Sequence, residues 1–196
     1  MVSDPDPFEQ FGLWFAKAHK TEPDNPNAMT LATVDQKGCP SARTVLLKEW
    51  DADGFVFYTN LHSRKGQELA QNPHVALLFY WKSLARQIRI EGRAEQVPDA
   101  RADRYFKSRP RESQIGAWAS AQSQAMPGGR GEFERAIAQI EARFKDMEVP
   151  RPPHWSGMLV RPNAFEFWEE GAFRLHHRTV LTADETGGWT SKILYP

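Results

Sequence analysis

Two arginines and a histidine near the carboxyl end of the chain, Arg174, His176 and Arg178, repeat at a spacing of two residues. In a β-strand this spacing places all three side chains on one face, while Leu175 and His177 point to the other. Two guanidinium groups and an imidazole are costly to bury unpaired, and together they suit a planar anionic ligand that accepts hydrogen bonds. Taken alone, the pattern is more often a solvated strand face. Three aromatic residues just before it favour a ligand site instead: Phe165, Phe167 and Trp168.

A second group of candidate anion ligands is Ser63, Arg64 and Lys65, at the point where a predicted strand gives way to a predicted helix. Backbone N–H groups at a helix start attract phosphate, and the two cations add to that attraction. Taken alone, such a sequence is more often a solvated helix cap. Its interpretation as a phosphate site therefore depends on the other cationic groups of the chain.

A third group follows helical spacing, because Tyr105, Arg109 and Ser113 lie four residues apart. On one continuous helix they would share a face, and Pro110 is expected only to kink that helix. A phenol, a guanidinium and a hydroxyl that converge make a phosphate clamp. An ordinary helix surface is the alternative. The cations on either side of Arg109 argue against it, since they repel one another unless an anion lies nearby.

The run ARTVLLK at residues 42–48 adds two more cations on a predicted strand. Strand alternation places Arg43, Val45 and Leu47 on one face. The other face carries the remaining three side chains: Thr44, Leu46 and Lys48. Arg43 and Lys48 are therefore expected to serve different surroundings.

Amphipathic patterns predict helices around these groups. The first begins at Asp6 and Pro7, and its apolar stripe consists of Phe8, Phe11, Phe15 and Ala18. Residues 99–107 and 112–120 have helical composition and are interrupted by Pro110. After a flexible break with glycines at 128, 129 and 131, a last helix is predicted from Glu132. Its stripe consists of Phe133, Ile137, Ile140, Phe144 and Met147.

Strand-like runs make up most of the remaining sequence. They lie at residues 29–34, 41–50, 55–60, 74–81 and 86–97, then around 158, at 164–168 and at 173–182, with a further candidate at 189–194. Gly38 and Gly54 mark two of the turns. Short connections between successive strands indicate an antiparallel meander that closes into a barrel. The fold class predicted is α+β, an antiparallel β-barrel with flanking helices.

Composition limits the class of protein. The 196 residues are 40% hydrophobic, enough to bury a core as a single domain spanning residues 1–196. The 25 Lys and Arg residues balance 25 Asp and Glu residues, so no overall field attracts nucleic acid or an anionic membrane. One cysteine, Cys39, excludes an intrachain disulfide and cysteine-based redox or zinc sites, and no metal site is predicted. The first ten residues lack a basic and apolar leader, and no apolar run reaches transmembrane length, so we expect a cytoplasmic protein.

The chain resembles the pyridoxamine 5′-phosphate oxidase family. The segment FEFWEEGAFRLHHR at residues 165–178 is similar to the signature of that family, carried by the C-terminal part from about 155 to 196. Glu169 departs from the usual Gln, His or Gly, and His177 departs from the usual acidic residue. Further segments match in the same order: NPNAMTLATVD, RTVLLK, FYTN, SRKG, RQIRIEG, YFKSRPRESQIGAW and PRPPHWSG. The resemblance implies a split β-barrel homodimer with FMN at the subunit interface.

The resemblance also implies roles for individual residues. The positions that correspond to FMN contacts are Arg43, Thr44, Val45, Leu46, Leu47, Lys48, Tyr58, Thr59, Arg64, Lys65, Gln87, Gln122, Ser123, Trp168 and Arg178. The positions that correspond to contacts with a phosphorylated pyridine substrate are Lys48, Tyr105, Arg109, Ser113, Arg174 and His176. Arg174 and His176 are the candidate catalytic residues, expected to orient the substrate and donate hydrogen bonds.

The activity implied is FMN-dependent oxidation of pyridoxamine 5′-phosphate or pyridoxine 5′-phosphate to pyridoxal 5′-phosphate, with O2 as acceptor and release of H2O2. Two alternatives stay open. One is a related FMN oxidase that acts on another planar substrate, such as a phenazine precursor. The other is a non-catalytic protein that binds FMN or pyridoxal phosphate, for which Glu169 and His177 are the only support. The clamp at Tyr105, Arg109 and Ser113 argues against the phenazine alternative, since a substrate without phosphate does not need it.

Overall fold

The computed structural model describes residues 6–196, so part of the expectation about the amino-terminal leader, which concerns residues 1–5, lies outside it. The five helices are α1 (Pro7–Thr21), α2 (Arg64–Gln71), α3 (Asp99–Ser108), α4 (Arg111–Ala119) and α5 (Gly129–Arg143). The nine strands are β1 (Ala28–Val34), β2 (Pro40–Leu46), β3 (Glu49–Asp51), β4 (Gly54–Asn60), β5 (His74–Trp81), β6 (Arg86–Gln96), β7 (Trp155–Glu169), β8 (His177–Ala183) and β9 (Trp189–Leu194). Single 3-10 turns lie at Lys82–Leu84 and Ala172–Arg174.

Helix α1 begins where its sequence predicts. The Asp6 side chain accepts a hydrogen bond from the Phe8 N–H at 2.8 Å, and Pro7 is the first helical residue, where its missing N–H costs nothing. Phe11 and Ala18 of the predicted stripe are fully buried, and Trp14 joins them. The other two, Phe8 and Phe15, are partly buried against the same core. The helix is thus held on the sheet mainly by aromatic packing.

All nine strands belong to one antiparallel sheet, which confirms the predicted antiparallel barrel. The main path runs β2-β1-β5-β6-β7-β4-β3, and β8 and β9 continue from β7. The prediction of a simple meander is wrong in one respect, because β4 pairs with β7 and not with its sequence neighbour β5. One sheet thus contains strands from residue 28 to residue 194, and a single domain stays our prediction.

The sheet curls almost into a closed barrel at Leu47 and Lys48. β2 and β3 are the two ends of the main path, yet only these two residues separate them. The Leu47 N–H bonds to the Asn27 carbonyl at 2.8 Å, and the Lys48 N–H bonds to the Val56 carbonyl at 2.9 Å. We term Leu47 and Lys48 the seam. The backbone of Leu47 is thus bonded to the residue before β1, and the backbone of Lys48 is bonded to β4. The run predicted as one strand at 41–50 is corrected to two strands, because the chain must change partners here.

The predicted strands around 158 and at 164–168 are one strand, β7, which is long enough to pair with both β4 and β6. Pro162 and Asn163 interrupt the strand-like pattern in the sequence. In the structure Pro162 lies opposite Gly92, where the β6–β7 register shifts at a bulge. Proline is tolerated at such a bulge because no regular ladder hydrogen bond is required of it.

Two other boundaries differ from the sequence prediction. Helix α5 begins at Gly129, so the glycine-rich segment is partly helical and not only a flexible break. Of its predicted stripe, Phe144 is buried, while Met147 lies beyond the helix and is exposed. Helices α4 and α5 pack around a small apolar cluster at Phe106, Ile115 and Trp155. No helix within residues 6–196 is both long and apolar enough to span a membrane.

Candidate active site

A cavity of about 540 Å³ lies between the seam of the sheet and helices α3, α4 and α5. Its walls are built by 17 residues, which come from strands β2, β4 and β7, from the helices and from the segments that connect them: Thr44, Val45, Leu46, Lys48, Tyr58, Thr59, Asn60, Lys65, Tyr105, Arg109, Ser113, Gly116, Ala117, Ser120, Gln122, Phe133 and Trp155. Eleven of these were candidate cofactor or substrate contacts: Thr44, Val45, Leu46, Lys48, Tyr58, Thr59, Lys65, Tyr105, Arg109, Ser113 and Gln122. The cavity therefore brings the cations of three separate sequence motifs together.

The predicted phosphate clamp converges, although not for the expected reason. Helix α3 ends at Ser108 and α4 begins at Arg111, so the helix does not run on through Pro110. Arg109 lies at the junction with extended backbone angles of φ −74° and ψ 150°. Tyr105 and Ser113 reach the cavity from the two separate helices. The break turns Arg109 into the cavity between them.

The clamp side chains lack partners of their own. Across residues 6–196 the side chains of Lys48, Tyr105, Arg109 and Ser113 make no hydrogen bond or ion pair, and NH1 of Arg109 is buried without an acceptor. The Arg109 guanidinium lies over the Trp155 ring, 4.8 Å from its centroid. Burial lowers the pKa of Arg109 below its ordinary value, as expected for a cation without a counterion. Two cations and two hydroxyls in this state form a site for an anion with several acceptor oxygens.

An aromatic stack holds the clamp in place. Tyr58 lies between Tyr105 and Trp155, with ring centroids 3.9 Å and 5.0 Å away and ring planes within 9° of parallel. The Tyr58 hydroxyl donates to the Glu49 carboxylate at 2.7 Å, and Arg101 pairs with the same carboxylate at 2.9 Å. Burial and the hydrogen bond to Glu49 raise the pKa of Tyr58, so its hydroxyl stays protonated. Sequence reasoning missed Trp155 and Glu49; the only available signal for Trp155 was its place in the PRPPHWSG segment.

The second cationic group divides between the cavity and a network behind it. Ser63 caps α2 by accepting from the Gly66 N–H at 3.3 Å. Lys65 lines the cavity and donates to the Gln122 side chain at 3.1 Å. Burial, together with the nearby Arg43 charge, lowers the pKa of Lys65 below its ordinary value. Arg43 and Arg64 do not line the cavity and instead meet at Glu68.

Strand alternation in ARTVLLK agrees with the burial of these side chains. Thr44, Leu46 and Lys48 are exposed to the cavity, while Leu47 is buried and Arg43 is directed to interior acceptors. Val45 is an exception to the strict separation, because it packs against the core and also lines the cavity. Arg43 and Lys48 therefore do serve different surroundings.

The prediction that Arg174, His176 and Arg178 share one strand face is wrong. Strand β8 begins only at His177. Arg174 ends a 3-10 turn in which Phe173 and Arg174 have positive φ angles of 56° and 66°. Gly171 permits this turn, because a Cβ there would lie 1.9 Å from the Leu175 carbonyl oxygen. The spacing of two residues does not reveal this turn, because the turn depends on the close approach of Gly171 to Leu175.

His176 and Arg178 are nevertheless fixed near one another by β7. The His176 Nδ1 accepts from the Gly171 N–H at 3.3 Å, and its ring lies 4.6 Å from that of Trp168. Arg178 pairs with Trp168 in the β7–β8 register and donates to the buried Glu166 carboxylate at 2.7 Å. Trp168 is in turn the register partner of Gln87 on β6.

We term five residues the strand cluster: Gln87, Trp168, Arg174, His176 and Arg178. Gln87, Trp168 and Arg178 are register partners, the His176 ring lies against Trp168, and Arg174 is included because it ends the turn two residues before His176. None of the five lines the cavity, and neither does Ser123, a turn residue with a φ of 73°. One copy of the chain therefore divides most of the candidate site residues among three places: the cavity, the network at Glu68 and the strand cluster.

Comparison with known proteins identifies the family of the chain. The sequence pattern of the family described as "Pyridoxamine 5′-phosphate oxidase" matches residues 15–144. A second pattern, "Pyridoxine 5′-phosphate oxidase C-terminal dimerisation region", matches residues 155–196. The chain belongs to the pyridoxamine 5′-phosphate oxidase family.

Relatives and solved structures extend the match to the whole chain. The "Pyridoxine/pyridoxamine 5′-phosphate oxidase" of Novosphingobium aromaticivorans is 56% identical over 195 residues, covering 100% of this chain and 96% of the relative. PhzG from Burkholderia lata, solved in complex with tetrahydrophenazine-1-carboxylic acid, is 28% identical with a TM-score of 0.91 and covers 100% of this chain and 95% of that chain. A "pyridoxamine 5′-phosphate oxidase-related, FMN binding protein" from Nostoc punctiforme, 16% identical with a TM-score of 0.77, covers 98% of this chain and all of that chain, and has the same split-barrel fold.

The two departures from the family signature are neighbours in space. Glu169 and His177 are register partners across β7 and β8. Glu169 also forms an ion pair with Arg86, whose guanidinium lies 4.5 Å from the centroid of the Trp14 ring. His177 lines a small cavity of about 290 Å³ beside α1, whereas Arg178 contacts Glu166. Both departures thus lie on the α1 side of the sheet and outside the family's strand cluster.

Proposed function

We propose that the protein is an FMN-dependent oxidase that converts pyridoxamine 5′-phosphate or pyridoxine 5′-phosphate to pyridoxal 5′-phosphate, with O2 as acceptor and release of H2O2. The observation that carries this proposal is the clamp at Lys48, Tyr105, Arg109 and Ser113, whose polar groups have no partner within residues 6–196. A substrate phosphate supplies the missing charge and acceptors. A cytoplasmic location stays a prediction.

The residues of the cavity fit FMN as well as a phosphorylated substrate. Thr59 has a buried hydroxyl oxygen without a hydrogen-bond partner, and this residue lines the cavity on β4. Lys65 marks a second cationic end, which lies on α2, whereas Arg109 lies at the junction of α3 and α4. FMN and the substrate each bring one phosphate, so two cationic ends are required and two are present.

FMN, when bound, would supply the acceptor for the hydride, with its two electrons, that is removed from the 4′ carbon of the substrate, with O2 as the final acceptor and H2O2 as its product. We propose that Arg109 and Tyr105 anchor the substrate phosphate and thereby fix the distance of the pyridine ring from the cavity wall. Lys48 lies at the seam and adds a further positive charge to the same cavity. Arg174 and His176 orient the reacting substituent, and His176 is held for this by Trp168 and the Gly171 N–H.

We also propose a homodimer in which each active site takes the cavity from one copy and the strand cluster from the other. The matched dimerisation region, 155–196, contains four of the five strand-cluster residues. The same region exposes apolar side chains, among them Phe173 at 94% and Tyr195 at 95%. Large exposed apolar side chains in one region are typical of an interface. A second copy would cover them and complete the site.

The shared site predicts that two inactive variants restore each other. In a mixed dimer of Arg109→Ala and His176→Ala chains, one site receives both defects and the other receives neither. Random pairing makes half of the dimers mixed, so co-expressed chains should regain about a quarter of the native activity. Co-expression of Arg109→Ala with Lys48→Ala, which alter the same cavity, should regain nothing. Equal behaviour of the two mixtures would mean that each chain builds its own site.

A peroxide assay tests the proposed function. The purified chain should carry FMN, and peroxide should appear when pyridoxamine 5′-phosphate or pyridoxine 5′-phosphate is added, but hardly with unphosphorylated pyridoxamine. Peroxide from tetrahydrophenazine-1-carboxylic acid alone would identify the phenazine-type oxidase in its place. Bound FMN without peroxide from any of these compounds would indicate a binding protein.

A further inference from the structure

A single buried carboxylate, Glu68 on α2, connects three elements behind the cavity. It is 4% exposed. Its Oε2 accepts from the Thr33 hydroxyl at 2.5 Å and from the Ser41 hydroxyl at 2.7 Å, on β1 and β2. The same oxygen accepts from Arg43 at 3.1 Å, while Oε1 accepts from Nε of Arg64 at 2.8 Å. The two carboxylate oxygens thus hold two arginines from different elements.

The bonds to Glu68 determine which nitrogens of the two arginines stay available. Arg64 uses only Nε, and within residues 6–196 its two terminal nitrogens donate to no acceptor. Arg43 uses both terminal nitrogens, on Leu31, Thr33, Ser41 and Glu68. Arg64, whose side chain is 62% exposed, therefore presents the free end of its guanidinium to solvent beside the start of α2.

The charges of this group match one phosphate. Burial alone would raise the pKa of Glu68, but hydrogen bonds from Thr33, Ser41, Arg64 and Arg43 lower it to about 2. Glu68 is therefore a carboxylate at every working pH. Three cations, Arg43, Arg64 and Lys65, and this one anion leave a formal charge of +2. A phosphate monoester at neutral pH carries a charge close to −2.

We propose that Glu68 is a positioning residue for the FMN phosphate: it orients Arg64 toward that phosphate through Nε and fixes Arg43 behind it. This inference rests on the proposed use of FMN. Glu68 lies behind the arginines and does not line the cavity, so it acts through them and touches neither flavin nor substrate. Its effect is confined to the phosphate end of the cofactor.

A role in which Glu68 only neutralises charge and a role in which it positions Arg64 predict opposite effects on FMN binding. If Glu68 only lowered the local charge, its removal would make the site more positive and would strengthen FMN binding. If Glu68 positions Arg64, removal frees the guanidinium and weakens FMN binding, although attraction at long range increases. Riboflavin, which lacks the phosphate, should be indifferent in either case. The ratio of FMN to riboflavin affinity therefore separates the two roles.

The experiment uses the full chain loaded with FMN or with riboflavin and diluted stepwise, so that the fluorescence of released flavin gives each Kd. Glu68→Gln should weaken FMN on the order of tenfold, similar to Arg64→Ala, because each loses a charge-assisted contact. Glu68→Asp should also weaken FMN, since the shorter side chain keeps the charge but cannot span both arginines. The matched control is Glu134→Gln, which removes an exposed Glu that pairs with Arg130 at 3.3 Å across the same four-residue spacing. Its FMN affinity should equal that of the native chain.

The outcomes separate this inference from the proposed function. A native chain that binds no FMN would overturn the proposed function and this inference with it. A native chain that binds FMN, with a Glu68→Gln variant that binds FMN as well or better at unchanged riboflavin affinity, would overturn the inference alone. Equal losses for both flavins would assign Glu68 to folding and would also overturn it. Should Glu68→Gln fail to fold, the same comparison on Glu68→Asp decides.

Discussion

Replacement of Arg109 by alanine is expected to lower kcat/KM for pyridoxamine 5′-phosphate on the order of a hundredfold, mainly through KM. Arg109 has no acceptor of its own within residues 6–196, so its hydrogen bonds are free for the substrate phosphate. Charge-assisted hydrogen bonds contribute about 1.5–3 kcal/mol each, and a guanidinium can make two to one phosphate. Steady-state peroxide kinetics measure the effect.

Two control measurements show whether Arg109 acts by binding the substrate phosphate. With unphosphorylated pyridoxamine the native chain and Arg109→Ala should perform alike, since the lost contact is to phosphate. Lys107→Ala removes a nearby cation that pairs with Glu148 at 2.9 Å on the surface, and it should leave kcat/KM unchanged. An equal loss for both substrates would show that Arg109 acts by packing on Trp155 and not by binding phosphate.

Arg174→Ala and His176→Ala are each expected to reduce kcat with pyridoxamine 5′-phosphate on the order of a hundredfold while FMN stays bound. Groups that orient a reacting centre and donate a hydrogen bond to it typically contribute this much or more. FMN should be retained because its expected contacts in the strand cluster are unchanged: Gln87, Trp168 and Arg178. The measurements are peroxide release at saturating substrate and flavin content after gel filtration.

His177→Asp is the matched control, because it changes the adjacent residue to the one usual in the family. His177 faces the small cavity beside α1 and not the strand cluster. Its replacement should therefore change kcat much less than either alanine variant. A larger effect of His177→Asp than of His176→Ala would mean that the α1 side of the sheet takes part in the reaction.

The sequence predicts those elements whose signals are local. Asp6 and Pro7 mark the start of α1, and Gly54, with a φ of 143°, begins β4 directly after the β3–β4 turn. The strand-like runs predicted at 74–81 and 86–97 correspond to β5 and β6, with only Val97 outside the observed strands. The cations of the cavity were also identified, because each carries a motif that does not depend on its neighbours in space.

The features that the sequence does not predict depend on contacts that become visible only in the folded chain. Pro162 reads as a break, but Gly92 opposite it allows a bulge and lets β7 continue. Arg174 reads as a strand residue, but the turn at Gly171 takes it out of the strand. Glu68 carries no motif at all, and its role is visible only when β1, β2 and α2 are assembled.

The seam at Leu47 and Lys48 links ligand affinity to the stability of the barrel. β2 and β4 lie on its two sides, and both contribute walls of the cavity: Thr44, Val45 and Leu46 from β2, and Tyr58, Thr59 and Asn60 from β4. A ligand that contacts both walls bridges β2, at one end of the sheet path, and β4, which is next to the other end. By mass action, its binding free energy then opposes opening of the seam directly. A substitution that weakens flavin binding, however far it lies from the cavity, should therefore loosen the barrel first at Leu47 and Lys48. The aromatic core under α1 should open later.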